Sequence, residues 1–273
     1  MGCEMGVSDE DPFSAAAVRN ARAVDDRLRE LAPAVKLPRE NITLLTRYQH
    51  VATGLRDWKI FSSASRPWHD PNSVRPELLL TDDPPKHTAV RAVIAAALSA
   101  KALARMAEAF GADAEALVLR LKEKSGALID AMSEITRPFV YKVLPDLLGI
   151  PLAGRENMYA FGNMVWATLG PVNELFHAAM KDTAPVIEWV ERCCNRENLA
   201  AGSLGMQMFL AADRGEITPD EAKLLVGILL SAAADTTVMT LGNRSFEPAG
   251  EPEPWMTAIG HGPEKLPMRF TAQ

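Results

Sequence analysis

The chain is short of cysteine, aromatic residues and positive charge. Its only cysteines are Cys3 and the adjacent pair Cys193 and Cys194. Neighbouring cysteines rarely pair with each other and no CxxC spacing occurs, so neither a disulfide framework nor a zinc site is expected, and a reducing cytoplasm fits. Aromatic residues are 6% of the whole and the formal net charge is −6. A nucleic-acid surface needs basic patches, and none is found. The first residues, MGCEMGVSDEDPF, are acidic and carry no apolar run, so they do not read as a signal peptide. Gly6 stands where the myristoylation pattern wants Ser or Thr, which speaks against a lipid on Gly2. No internal repeat is visible.

Hydrophobic side chains, at 48% of 273 residues with 23% charged, are enough for a large globular core. Residues 14–31 have the spacing of an amphipathic helix, ended by the prolines of APAVKLPREN. NITLLTRY is β-branched and alternating and reads as a strand, and QHVATGLRDW as a short helix. The Pro-, Ser- and Asn-rich stretch SSASRPWHDPNSVRPELLL is irregular. From Asp83 onward the pattern is helical: a helix capped by Asp83 with Pro84 in its first turn, another from Ser99 to about Lys124, then 134–149, 156–169 and 174–195. The last helix starts most sharply. Thr218 is its N-cap, Pro219 its first residue, and Glu221 completes a capping box; Leu224 to Leu241 should then be unbroken.

Two constellations carry chemistry. His87 and Arg91, four apart on one helix, leave the same face and together could grip a carboxylate or phosphate; the plain alternative is a solvated basic pair. Asp235-Thr236-Thr237 follows the small side chains of Ser231, Ala232, Ala233 and Ala234. A carboxylate beside a hydroxyl on a buried helix can relay protons; the alternative is threonines that bond back to carbonyls one turn earlier. A membrane span is the third reading of Leu224 to Gly242, but Asp235 near its centre would cost about 2.5–3.5 kcal/mol there.

Taken in order, LLTRYQHVATGLRDWKIFSS, DPPKHTAVR and GEITPDEAKLLVGILLSAAADTT resemble a bacterial cytochrome P450, over about Asp11 to Asn243. The resemblance implies a mainly α-helical fold with a small β-sheet, of which this chain holds the N-terminal two-thirds. It implies haem b as cofactor, His87 and Arg91 on its propionates, Ala232 and Ala233 lining the oxygen groove, and Thr236 and Asp235 delivering protons. Alanine where the family usually has glycine narrows that groove by a methyl. GPVNELFHAAM and the TPDEA start resemble the subgroup that oxidises small aromatic acids, which would place Trp166, Leu169 and Ser231 on the substrate. That subgroup tends to carry Arg and Ser where Gly227 and Ile228 stand, which weakens the hold on a substrate carboxylate. The implied partners are a small organic substrate, a ferredoxin and its reductase, with no nucleic acid and no membrane.

The family's FxxGxHxCxG ligand loop and its ExxR pair are missing from these 273 residues, so no metal ligand carries over. Residues 244–273 hold five prolines and three glycines with no helical period. PEPWMTAIGHGPEKLP faintly resembles the family's segment after the central helix. The expected organisation is a disordered 1–10, a partial cytochrome P450 domain at 11–243, and an aberrant tail, frame-shifted or disordered. The expected function is that of a haem-thiolate monooxygenase lacking its ligand segment and inactive alone; the alternative is a non-catalytic helical fragment or pseudogene product.

Overall fold

The computed structural model describes residues 5–64, 78–245, 248–257, 259–260 and 262–270. Cys3 and most of the Pro-, Ser- and Asn-rich stretch lie outside them. The chain order is β1 (Met5–Val7), α1 (Ala15–Arg19), α2 (Ala21–Leu31), β2 (Ala34–Leu37), β3 (Ile42–Leu45), α3 (Tyr48–Arg56), α4 (Lys86–Ala97), α5 (Ala100–Leu121), β4 (Leu128–Asp130), α6 (Arg137–Leu148) and α7 (Met158–Ala167). There follow α8 (Glu174–Ala179), α9 (Ala184–Cys193), α10 (Leu204–Asp213), α11 (Pro219–Ser245), β5 (Glu253–Pro254), β6 (Pro263–Lys265) and β7 (Pro267–Arg269). The mainly helical class with small sheets is what the sequence implied.

One compact unit comprises residues 1–87, 164–181 and 256–261. Its sheet has the order β1-β2-β3, with β1 parallel to β2 and β2 antiparallel to β3. Phe13, Ala17, Val24, Leu28, Val35 and Leu37 form its core, so the amphipathic stripe expected over 14–31 does face inward. The helix there is not continuous. Asn20, at φ −129°, ends α1 and begins α2. Ser14 caps α1, and Asn173 caps α8 by accepting from Leu175 and Phe176. Asp83 does not cap α4 with its side chain. Its carboxylate accepts from the Ser62 hydroxyl and the Ser63 amide, and α4 begins only at Lys86, beyond the Pro84–Pro85 cis peptide.

The other unit comprises 88–163, 182–255 and 262–273. Here α11 packs on α6 and α10, and α5 packs on α6. The α11 start matches the sequence reading: the Thr218 amide donates to Glu221 (2.8 Å) and the Glu221 amide to the Thr218 hydroxyl (3.2 Å). The run from Leu224 to Leu241 is unbroken. Gly149 ends α6 at φ +79°, and a Cβ there would stand 2.4 Å from the Ser203 Oγ, so both backbone and neighbour require glycine. The segment 174–195 is two helices rather than one. A helix not expected from sequence, α10, buries Leu204, Met208, Phe209 and Ala211.

Described tail residues 248–255 and 262–270 fold with this unit. Strand β7 pairs antiparallel with β4, and β5 pairs with β6. Trp255 and Leu266 are buried. The Trp255 indole donates to Asn163 (2.7 Å), and Glu264 meets Arg137 (2.9 Å) and accepts from the Tyr159 hydroxyl (2.9 Å).

Candidate active site

The site is built on α11. Successive residues of a helix are about 100° apart, so Asp235 and Thr236 leave different sides of it. Asp235 is 3% exposed and faces α6 and α7. The Tyr141 hydroxyl on α6 donates to its Oδ1 (3.1 Å). Gly162 on α7 leaves room for its other oxygen: a Cβ there would lie 1.9 Å from Oδ2. Burial first, then the Asp235 charge and hydrogen bond, push the Tyr141 hydroxyl far above the usual tyrosine value, so it stays a donor.

Thr236 is exposed, and its hydroxyl donates to the Ala232 carbonyl one turn back (2.7 Å). Thr240 repeats the pattern on Thr236 (2.7 Å). This is the back-bonding weighed against a proton relay. The carboxylate meets the Tyr141 hydroxyl, and the neighbouring hydroxyl meets its own helix backbone. Ala232 shares the exposed stripe with Thr236 and Thr240, Ala233 is half-buried and Ala234 is buried. Ser231 is buried, its hydroxyl donating to the Ile228 carbonyl (3.1 Å).

His87 and Arg91 both lie on α4, His87 half-buried and Arg91 exposed. Trp166 on α7 and Leu169 just after it are half-buried and joined by a backbone turn, the Leu169 amide donating to the Trp166 carbonyl (3.2 Å). Trp166 and Leu169 belong to the first unit and Ser231 to the second. Sequence reading missed Tyr141 and Gly162. The available signals were a lone phenol in the apolar stretch RPFVYKVLPDLL and a glycine inside a helix, where glycine costs about 1 kcal/mol and so often marks close packing.

By length and composition α11 could cross a membrane, yet 56% of its apolar 18-residue stretch is buried inside the protein. It is a core helix here, and its acid is held by a neighbouring helix rather than left in hydrocarbon. Among the described residues no group of three or more His, Cys, Asp or Glu side chains could hold a metal ion.

No family model matches the chain. Cytochrome P450 CYP199A2 of Rhodopseudomonas palustris is 36% identical over 238 residues, which are 84% of this chain and 56% of that protein. Cytochrome P450 107B1 of Saccharopolyspora erythraea is 24% identical over 241 residues, 82% of this chain and 57% of its own length. Among solved structures, CYP109E1 from Bacillus megaterium, in complex with testosterone, superposes with a TM-score of 0.70 at 21% identity, covering 84% of this chain and 60% of that one. P450BioI, in complex with an acyl carrier protein ligated to hexadec-9Z-enoic acid, gives 0.67 at 16% identity, covering 85% and 64%. The homologues of this chain are therefore cytochrome P450s, and its fold is theirs over the part it spans. That part is 56% to 57% of the length of the two curated relatives.

The described cysteines do not fit the haem such a family implies. Electron donation by a thiolate ligand is what its chemistry requires, a rule for which this family is itself the standard example. Cys193 and Cys194 are both buried at the end of α9, and Cys194 packs by Gly227 of α11, 3.9 Å from where a Cβ would stand. Its hydrogen bond to Cys193, then burial, push the Cys194 thiol far above the usual cysteine value. Neither sulfur is offered to a ligand.

Proposed function

We propose that the chain is the oxygen-side part of a haem-thiolate monooxygenase, catalytically incomplete in these 273 residues. The observation that supports this most is the exposed Ala232–Thr236–Thr240 stripe on a core helix, in a chain whose homologues are cytochrome P450s. In the completed fold His87 and Arg91 neutralise haem propionates, the Ala232–Ala233 stretch borders the oxygen groove, and Thr236 presents its hydroxyl there. Asp235 carries protons inward from the α6–α7 side. Trp166, Leu169 and Ser231 line the substrate space. The substrate is a small organic molecule, of the aromatic-acid class by resemblance. Electrons come from NAD(P)H through a reductase and a ferredoxin, and the protein is cytoplasmic.

The test is spectroscopic. The chain as given, mixed with haem, reduced and exposed to carbon monoxide, should lack the long-wavelength band of thiolate ligation. Replacing both Cys193 and Cys194 by Ser should leave that spectrum unchanged. A chimera carrying the haem-binding segment of the 36% identical relative after Asn243 should recover the band. In it Thr236→Ala should keep consuming NAD(P)H while releasing peroxide. A thiolate band from the unmodified chain would refute the proposal.

A second reading, a non-catalytic helical protein, is favoured by the buried cysteines alone. It predicts that the chimera folds and still gives no band. For residues 244–273 the frame-shifted origin is tested by translating the DNA after the codon for Asn243 in the other two frames and looking for ExxR and FxxGxHxC.

A further inference from the structure

Among the described residues Asp235 is the only buried carboxylate. Its surroundings are specific. Tyr141 from α6 donates to Oδ1 at 3.1 Å, and α7 approaches so closely that a Cβ on Gly162 would stand 2.7 Å from the carboxyl carbon and 1.9 Å from Oδ2. We infer that Tyr141 is a positioning residue for Asp235: its hydroxyl, with the space left by Gly162, holds the carboxylate against α6 and α7 and away from the Thr236 stripe. This rests on the reading of Asp235 as a proton carrier, and it goes beyond the acid and alcohol themselves.

The geometry gives the reason. Left to its own rotamers, a side chain at position 235 could swing toward either flank of α11. A hydroxyl on one flank and a missing side chain on the other select the inward one. The energetics agree in sign, since a hydrogen bond to an ionised acceptor is stronger than a neutral one and favours the charged form. Burial and the Asp235 charge keep the phenol protonated, so it remains able to donate to the carboxylate. Arg137 on α6 and Tyr159 on α7 act electrostatically on Tyr141, and Glu264 on β6 meets both of them. Arg137 lies over the Tyr159 ring at 4.8 Å and is ion-paired with Glu264. Tyr141 is the side chain seen to touch the carboxylate from α6. A proton passing from Asp235 to Thr236 must therefore leave the Tyr141 side and travel round the helix, through water or a rotation of the carboxyl.

The test uses the 273-residue chain and does not need haem. Carbon-13 NMR of aspartate-labelled protein follows the Asp235 carboxyl, assigned by its loss in Asp235→Asn. Tyr141→Phe keeps the ring and removes the hydroxyl. The Asp235 titration midpoint should then rise by about one to two pH units, the size expected for losing one hydrogen bond to a charged acceptor. A folded Tyr141→Phe protein whose Asp235 titrates as in the parent overturns the inference. If that variant does not fold, Gly162→Ala decides: a displaced Asp235 signal and midpoint support the inference, and unchanged ones overturn it. The proton-carrier reading fails separately, if Asp235→Asn in the chimera leaves turnover unaltered while the NMR result stands.

Discussion

The amide of Leu266 donates to the carboxylate of Asp130 at 2.8 Å, a bond that joins the tail to the core across 136 positions of sequence. The same carboxylate accepts from the Met132 amide (3.1 Å), the Ser133 amide (3.3 Å) and the Ser133 hydroxyl (2.7 Å). One side chain thus starts the turn into α6 and fixes the register of β4 against β7.

Asp130→Ala should lower unfolding stability by about 2 kcal/mol, since it strips a charged acceptor from several donors at once. Urea unfolding measures it. The tail should also lose hydrogen-exchange protection around 266–269 before the rest of the unit does. A tail that stays as protected as in the parent would show that strand pairing alone holds it.

Acid should reveal the same carboxylate. Burial pushes it up, but hydrogen bonds from Leu266, Ser133 and Met132 outweigh burial and hold it below its ordinary 3.8. A folded value below the unfolded one means the stabilisation is fully present above the unfolded value and is lost as pH falls through the folded one. Parent and Asp130→Asn should therefore differ by an amount that is constant above about pH 5 and shrinks below the ordinary value. Urea midpoints across that range check it.

Gly154→Ala should disturb Trp189. Gly154 sits at φ +87°, and a Cβ there would stand 2.2 Å from the Trp189 ring, whose indole donates to the Ala153 carbonyl (3.2 Å). Backbone strain and overpacking together should cost about 2–4 kcal/mol. Tryptophan emission should shift to the red as the indole loses its buried place.

Breaking the capping box by Thr218→Ala should cost about 1 kcal/mol. The loss should appear as faster amide exchange in the first turn of α11, with the Tyr141–Asp235 end of the helix unaffected. An equal loss along the whole helix would mean that its two ends are not independent.

Much of the site's chemistry was legible in the residues, and its geometry was not. Thr218 and Glu221 announce a helix start through local bonds that need no partner, and the unbroken α11 follows from eighteen residues without proline. His87 and Arg91 share a helix because a spacing of four is a local property of the backbone. LGMQMFLAAD, by contrast, is apolar nearly all round, so its period does not stand out; α10 is a helix buried against α6 and α11. Asn20 breaks a stripe that continues on both sides of it, so the pattern gave no warning.

The sequence by itself determined a helical chain, its caps, and the presence of an acid next to an alcohol in the middle of its longest helix. Only the tertiary structure decided that the acid turns inward and the alcohol outward. The physical reason is that α11 is apolar on almost every side, so its own pattern does not orient it. Its orientation is set by what α6 and α7 offer: a phenol hydroxyl from Tyr141 and a gap at Gly162, both distant in sequence, which a carboxylate can enter and a threonine methyl would gain little from filling.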